Sequence, residues 1–173
     1  MDEAYSKHCT LNYLPPSMYH KRRGESYLCP MQIESYLITS PDDQELAYAI
    51  RKEVFVQEQM VDEREEYDEY EPTASHFLAR QGGQPVGTAR WRFTDKGIKL
   101  ERFAVRASHR SAGVGSALVQ AVLNHITTHP DAEGKTRYLH AQLTAVPFYA
   151  RHGFRETGEV FSEASILHRR MEL

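Results

Sequence analysis

The sequence predicts one mixed α/β domain in which a largely antiparallel sheet is flanked by helices. Three observations lead to this fold class. Residues 76–105 contain three strand-like segments joined by short turns, the pattern of an antiparallel meander. A segment on either side of the meander repeats apolar residues at helical spacing. A strand also runs directly into a glycine-rich helix start, and strands and helices mixed in this way pack in layers.

The N-terminal part of this domain is predicted to hold one strand and one helix. Apolar and polar residues alternate over residues 32–39, which predicts the strand. The helix is predicted to begin at Ser40-Pro41-Asp42-Asp43, because serine caps helices, proline suits the first turn and acids favour the N-terminus. The predicted buried face of the helix comprises Leu46, Ala49, Ile50, Val54 and Phe55.

The meander is predicted as three strands at residues 76–80, 85–94 and 97–105. Glycine-containing turns separate them, at Gly82-Gly83 and at Asp95-Lys96-Gly97. Successive side chains of a strand point to opposite faces. One face of the third strand is therefore predicted to carry Lys99, Glu101, Phe103 and Val105.

The most informative segment joins the third strand to a second helix. Arg110-x-x-Gly113-x-Gly115 stands at the helix start, where glycines let a ligand approach and the first N–H groups lack partners. The helix dipole favours an anion at this end, and an arginine adds a cationic fork. The segment therefore predicts a pyrophosphate site. The apolar stripe of the supporting helix comprises Leu118, Val119, Val122, Leu123 and Ile126.

The rest of the chain is predicted to form a strand, a short helix and two closing strands. The strand covers residues 138–142, and Thr144 is the predicted N-cap of the helix, with Pro147 in its first turn. Gly153 is predicted to end this helix. The closing strands are predicted to begin at Phe154 and to end the chain over residues 165–173.

Two of these segments resemble one known family. Arg110-x-x-Gly113-x-Gly115 after a Phe-Ala-Val strand resembles the coenzyme A signature of the GNAT superfamily of acyl-CoA N-acyltransferases. Tyr149-x-x-x-Gly153-Phe154 is similar to the tyrosine helix that packs beside the cofactor thiol in that family. Segments 54–59, 87–90 and 101–105 and the ending with Phe161, Glu163 and His168 resemble its ElaA-like branch.

The resemblance covers residues 31–173 and implies a GNAT-type fold, with coenzyme A bound between splayed central strands. It implies acetyl-CoA as co-substrate, no metal, and acetyl transfer to a primary amine of a small molecule or peptide by direct attack. Members often form homodimers, so a homodimer is one candidate assembly. The residues implied to bind the cofactor are Phe103, Ala104, Val105, Arg110, Ser111, Ala112, Gly113, Val114, Gly115 and Ser116.

Catalytic candidates follow from the chemistry of amine acylation. Tyr149 is the candidate acid for the departing thiolate, since a phenol can protonate it. The base stays open between a strand histidine (His140 or His168, with His76 also considered) and a water chain, because histidine accepts protons near neutral pH. Some relatives carry a glutamate base at the position of Lys99, so that role is not transferred to this chain. The candidate substrate-binding residues are Glu58, His76 and Gln142, the last standing where many members have asparagine.

An acidic segment over residues 58–71 has two interpretations. It contains eight carboxylates, and Arg64 is its only cation. The first interpretation is a solvated, mobile loop. The second is a wall of the acceptor site that attracts a cationic amine.

Composition agrees with a single cytoplasmic domain of ordinary size. The 173 residues carry a net charge of −3, which argues against a general nucleic-acid binder. No apolar stretch approaches the roughly 20 residues that cross a membrane. A P-loop is excluded because Gly-Lys-Ser/Thr is absent. Cys9 and Cys29 are expected to be free thiols, with a disulfide as the alternative.

Two questions stay open from the sequence. Residues 1–30 form an N-terminal extension that is a flexible tail, a partner-docking arm or an over-extended start. The domain itself is either an N-acetyltransferase or an acyl-CoA-binding regulatory module with little turnover. Tyr149, the intact phosphate motif and the acidic segment favour the enzyme.

Overall fold

The computed structural model describes residues 32–173. Over this range it contains one seven-stranded mixed sheet with helices on both faces, which confirms the predicted fold class. The strands are β1 (Ile33–Leu37), β2 (Ser75–Gln81), β3 (Gln84–Thr94), β4 (Gly97–Val105), β5 (Arg137–Gln142), β6 (Arg155–Glu163) and β7 (Ile166–Glu172). The helices are α1 (Pro41–Arg51), α2 (Glu63–Glu66), α3 (Val114–Thr128) and α4 (Val146–Ala150).

The sheet order is β1-β2-β3-β4-β5-β7-β6, and β4 with β5 is its one parallel pair within the described residues. Helix α3 packs on one face of β1–β4 and buries Leu118, Val119 and Val122 in the larger core. Helix α1 packs on the opposite face, where a smaller core holds Ile50 and Leu78. The sheet therefore separates two apolar layers.

Helix α1 begins as predicted, but its buried face differs from the prediction. The Ser40 hydroxyl accepts the Asp43 N–H at 3.2 Å, as an N-cap does. The buried positions include Ala47 and Arg51, while Ala49 is exposed. The prediction failed because a charged residue occupies one position of the buried stripe. The helix then continues as a π-helical segment, Lys52–Glu58.

Strand β4 contains a bulge that corrects the predicted alternation of its side chains. Thr88 pairs with Ala104 and Arg90 pairs with Glu101, so two residues of β4 lie opposite one of β3. Arg102, inside the bulge, has a φ of +56°. Phe103 therefore packs against the α3 core, whereas Glu101 forms ion pairs on the other face of the sheet.

Two further sequence predictions concern membrane-spanning segments and the N-terminal extension. No helix within residues 32–173 is long and apolar enough to cross a membrane. The extension over residues 1–30, with Cys9 and Cys29, lies outside the described residues.

Candidate active site

A cleft opens where the two parallel strands separate. Strands β4 and β5 pair only where Ile98–Leu100 of β4 faces residues 137–139 of β5. Beyond Leu100 the facing edges are unpaired, and a cavity of about 300 Å³ lies between them. Unpaired strand edges offer backbone donors and acceptors to an extended ligand. Of the sequence candidates, Phe103, His140, Gln142, Tyr149 and His168 line this cleft.

The segment before α3 has the form of an anion cradle. Ser111 and Gly113 have φ values of +64° and +91°, so the backbone turns twice through the left-handed region. The backbone hydrogen bonds of α3 begin at Ala117, whose N–H donates to the carbonyl oxygen of Gly113 at 3.0 Å. The N–H groups of residues 111–116 have no backbone acceptor there, and residues 111–113 are exposed. Such N–H groups at a helix N-terminus bind phosphate.

The cradle and the tyrosine-bearing helix are in direct contact. A Cβ at Gly115 would lie 3.2 Å from the Phe148 ring, so only glycine lets α4 approach α3 this closely without displacement. The Ser116 hydroxyl also lies 3.1 Å from Nε2 of His152. The two motifs of the sequence therefore form one continuous surface.

Helix α4 is shorter than predicted and begins later. Its N-cap is Ala145, which provides no side-chain hydrogen bond, so the prediction of Thr144 as N-cap was wrong. A 3₁₀ turn over Leu143–Ala145 precedes the helix and takes the place of the predicted first turn. Gly153, at a φ of +90°, ends the segment as predicted.

Tyr149 is buried in the cleft among aromatic rings. It is 8% exposed, and its ring centroid lies 5.9 Å from that of Phe103 and 6.0 Å from that of Phe154. Among residues 32–173 its hydroxyl has no hydrogen-bond partner. Burial raises the pKa of the Tyr149 hydroxyl above its usual value, which keeps the phenol protonated at neutral pH.

Three strands place polar side chains on the same side of the cleft. Gln142 of β5 lies opposite His168 of β7, and His168 lies opposite Phe161 of β6. Cross-strand partners share a face, and so do residues two apart in a strand. His140 and Glu163 therefore join the same face, and both line the cleft.

His140 and Glu163 are hydrogen-bonded to each other. The distance between Nδ1 of His140 and Oε2 of Glu163 is 2.8 Å. The hydrogen bond from His140, with Lys99 nearby, lowers the pKa of the Glu163 carboxyl to about 2, so this group is a carboxylate at neutral pH. The Phe161 ring packs edge-on against His140 at 4.7 Å and is stacked at 6.0 Å with His168.

His168 and Gln142 are held by neutral partners. Nδ1 of His168 lies 2.8 Å from the carbonyl oxygen of Ile166, so this nitrogen carries the proton. The side-chain amide of Gln142 donates to Oε1 of Gln59 at 2.8 Å. That bond joins β5 to the residue after the π-helical segment and closes one side of the cleft.

Two candidates for substrate binding lie outside the cleft lining. Glu58 is paired with Arg110 of the cradle through two hydrogen bonds of 2.6 Å. His76 is buried under α1, where its Nε2 lies 3.0 Å from the carbonyl oxygen of Glu71. Burial lowers the pKa of His76, so the ring is neutral near pH 7. The structure thus gives both residues protein partners away from the cleft.

The acidic segment is fixed by arginines, which neither interpretation of the sequence predicted. Arg90 is 0% exposed and pairs with Asp68 at 2.7 Å and with Glu71 at 2.6 Å. Buried Arg51 pairs with Glu71 as well as Glu66. These carboxylates neutralise buried guanidinium groups, so they are not a solvated face and are not free to attract an acceptor.

Glu101 belongs to the same charge network. Its carboxylate contacts Arg90 at 2.7 Å, Arg92 at 2.8 Å and Lys99 at 3.1 Å. The attraction of these cations outweighs burial and lowers the pKa of Glu101, with Arg90 as the largest contributor. A carboxylate held by three cations is a weak proton acceptor.

Sequence reasoning missed two residues of the cleft, Glu163 and Gln59. The spacing of Phe161 and Glu163 in one strand was the available signal for Glu163, but its partner His140 is 23 residues away. Gln59 meets Gln142 across 83 residues. Contacts at such separations follow from the sheet order, which local patterns do not encode.

Comparisons with known proteins agree with the fold. Residues 37–173 match the sequence model of the family described as "Acetyltransferase (GNAT) domain". The chain is 45% identical over 126 residues to the uncharacterized N-acetyltransferase YjcF of Bacillus subtilis strain 168, an overlap of 72% of this chain and 88% of YjcF.

Solved structures share the fold. Escherichia coli ElaA superposes with a TM-score of 0.67 and 24% identity, covering 82% of this chain and 98% of ElaA. An acyl-CoA N-acyltransferase from Pseudomonas aeruginosa superposes with a TM-score of 0.67 and 22% identity, covering 82% and 98%. The seven-stranded sheet, the matched family and the YjcF identity lead to one conclusion: this chain belongs to the GNAT family and is an acyltransferase.

Proposed function

We propose that this protein transfers the acetyl group of acetyl-CoA to a primary amine of a small molecule or peptide. The observation that carries the proposal is the position of Tyr149. Its buried hydroxyl, which has no partner within residues 32–173, lies in the cleft where β4 and β5 separate, and its helix contacts the anion cradle. The transferase domain corresponds to residues 31–173, and we propose a cytoplasmic location.

The residues of the cradle and of β4 fit coenzyme A. Residues 111–116, whose N–H groups have no backbone acceptor among the described residues, suit its phosphates, and Arg110 adds a guanidinium beside them. The unpaired edge of β4 suits an extended arm, which Phe103, Ala104 and Val105 would bind as an added strand. The cradle thus suits the phosphates of coenzyme A, and the free strand edge suits its extended amide chain.

Bound acetyl-CoA would supply a thioester carbonyl that the acceptor amine attacks directly. The protein's first task is orientation, which is worth roughly 7–11 kcal/mol of barrier when reacting groups are well placed. Its second task is to stabilise the charge that develops on the carbonyl oxygen. A backbone N–H on the free edge of β4 would do so, and one such donor contributes about 2.7–4 kcal/mol.

Tyr149 would donate its proton to the departing sulfur. The raised pKa of its hydroxyl ensures that the proton is present. Burial raises the pKa of a thiol in the same way, so the difference in pKa between the phenol and the coenzyme A thiol does not grow inside the cleft. The aromatic rings around Tyr149 exclude water from this transfer.

The charges of the cleft favour a cationic acceptor. Four carboxylates line it, and those of Glu66 and Glu101 are paired with arginines, which leaves Glu65 and Glu163. Glu65 is exposed at the rim and has no ion-pair partner within residues 32–173. A primary amine enters as an ammonium ion at neutral pH, so the carboxylates of Glu65 and Glu163 attract it.

The proposal is tested by incubating the full chain with acetyl-CoA and pools of polyamines, amino acids, aminoglycosides and lysine peptides. Products are identified by mass, since Cys9 and Cys29 would react with a thiol dye. An acetylated amine in at least one pool supports the proposal. Tight acetyl-CoA binding without product from any pool would instead support a binding module.

A further inference from the structure

We infer that His140 is the base that removes the proton from the acceptor amine and that Glu163 is its positioning residue. The inference rests on the proposed function and assigns the one role that the sequence left open. It is carried by the hydrogen bond between these side chains and by their common place in the cleft wall.

The hydrogen bond fixes which nitrogen of His140 can accept a proton. A carboxylate has no proton to give, so Nδ1 of His140 donates and Oε2 of Glu163 accepts. The neutral ring then keeps its lone pair on Nε2. Within the described residues the Nδ1 bond is the sole hydrogen bond of this side chain, and the ring is partly exposed in the cleft. Nε2 is therefore free for an acceptor ammonium.

Other titratable groups of the cleft are less suited to this role. Glu101 is held by Arg90, Arg92 and Lys99. His168 has the same free nitrogen as His140, but its Nδ1 bonds a neutral carbonyl rather than a carboxylate. A carboxylate neutralises the imidazolium that forms on proton uptake, and of these two histidines His140 is the one hydrogen-bonded to a carboxylate.

The two-residue β6–β7 turn follows Glu163 directly. Ala164 and Ser165, which follow it, have φ values of +49° and +62°, a conformation that costs energy for residues with a Cβ. Lys99 of β4 lies 3.9 Å from Oε1 of Glu163 but is closer to Glu101, which leaves Oε2 to His140. The neighbours of His140 also include Arg170, which lies opposite it in β7, and the ring of Tyr138, while His168 lines the same cleft.

The protons balance in this scheme. The acceptor R–NH₃⁺ gives one proton to Nε2 of His140 and becomes the attacking amine. As the C–N bond forms and the C–S bond breaks, the nitrogen loses a second proton and the sulfur takes one from Tyr149. The second proton restores the Tyr149 phenol, and the imidazolium releases the first one to solvent. The net products are the amide, the thiol and one proton.

The kinetic test compares kcat/KM for one amine across pH in four full-length variants, at saturating acetyl-CoA. His140→Gln should lower kcat/KM by about 10²- to 10⁴-fold with KM for acetyl-CoA unchanged. Glu163→Gln keeps an acceptor oxygen but removes the charge, so the ascending limb of the profile should move to lower pH. Glu163→Ala should lower kcat/KM more than Glu163→Gln does. His129→Gln, at the far end of α3, should have the kcat/KM of the wild type.

A second measurement does not need turnover. The ¹⁵N shifts of His140 at alkaline pH should show the Nδ1–H tautomer in the wild type and a gain of the Nε2–H form in Glu163→Ala. An Nε2–H tautomer in the wild type overturns the inference. Wild-type-like transfer by His140→Gln contradicts the base assignment alone, whereas a wild type that acetylates no amine contradicts the proposed function and the assignment with it.

Discussion

Arg110 and Glu58, 52 residues apart in the chain, face each other through two hydrogen bonds of 2.6 Å. The Nε of Arg110 also donates to the carbonyl oxygen of Val105 at 3.0 Å. The guanidinium that the sequence motif offers to a cofactor phosphate is therefore already bound to a carboxylate. A phosphate group that uses Arg110 competes with Glu58 for it.

This competition predicts that Glu58→Gln tightens coenzyme A binding. Removal of the carboxylate charge frees the guanidinium, and one charge-assisted contact changes affinity by roughly 10-fold. Calorimetric titration with coenzyme A measures the change, and Arg110→Gln is the matched variant that should weaken binding. If Glu58 instead contacts the acceptor, Glu58→Gln will raise KM for the amine and leave the coenzyme A affinity unchanged.

A second prediction separates the effect of a glycine substitution on coenzyme A binding from its effect on backbone strain. Gly113 and Gly134 have φ values of +91° and +70°, and a Cβ at either position would meet no atom closer than 3.6 Å. Gly113→Ala and Gly134→Ala should therefore each lose about 1–2 kcal/mol of unfolding free energy through the left-handed backbone. Gly113→Ala alone should also weaken coenzyme A binding, because its Cβ and altered backbone disturb the N–H groups of the cradle.

Denaturant unfolding and calorimetry on both glycine variants provide the two readouts. Equal affinities for coenzyme A in Gly113→Ala, Gly134→Ala and the wild type would mean that the cradle does not bind the cofactor.

The charge network predicts a loss of stability in acid. Burial opposes ionisation of Asp68, but hydrogen bonds from Arg90 outweigh it and lower the pKa of this carboxyl to about 2. A pKa depressed in the folded state adds stability that is fully present above the unfolded pKa and is lost as pH falls through the folded one. The free energy of unfolding should therefore decrease between about pH 4 and about pH 2.

Urea unfolding at a series of pH values measures this slope. Asp68→Asn should be less stable at neutral pH and should show a shallower decrease in acid, since one of the titrating groups is gone. A variant with the full wild-type slope would show that Asp68 is not ion-paired in solution.

The rim of the cleft yields a prediction on the charge of the acceptor. Two carboxylates of the acidic segment line the cleft, and Glu66 is engaged with arginines, so Glu65 is the one at the cleft that is left to attract an amine. Glu65→Gln should raise KM for a polycationic acceptor by about 2- to 5-fold and leave KM for a monoamine nearly unchanged. Glu69→Gln, exposed and outside the cleft lining, is the control. Equal effects of the two variants, or on the two acceptors, would exclude steering by Glu65.

Local patterns predicted most of the fold. The Ser40 cap, the turns between β2, β3 and β4, and the apolar stripe of α3 depend on neighbouring residues, and the structure contains each of them. The buried face of α1 was predicted less well, because Arg51 occupies a core position whose charge is neutralised 15 and 20 residues away. Long-range ion pairs of this kind are invisible to periodicity.

The candidate site was predictable only where the sequence motif is continuous. The cradle and Tyr149 belong to two short segments whose residue types point to their chemistry. Glu163 and the bulge at Arg102 depend on strand pairing, since the bulge reverses the face of Phe103 and the β6–β7 register brings Glu163 to His140. Neither feature has a local signature.

The central claim is that the cleft beside Tyr149 is where the acetyl group is transferred, and kinetics of Tyr149→Phe test it most directly. The substitution removes a hydroxyl that has no protein partner in residues 32–173, so folding should be unaffected. We predict that kcat falls by about 10²- to 10⁴-fold while KM for acetyl-CoA stays within about twofold, because the phenol acts on the departing sulfur rather than in binding. A kcat within about threefold of the wild type would contradict the account.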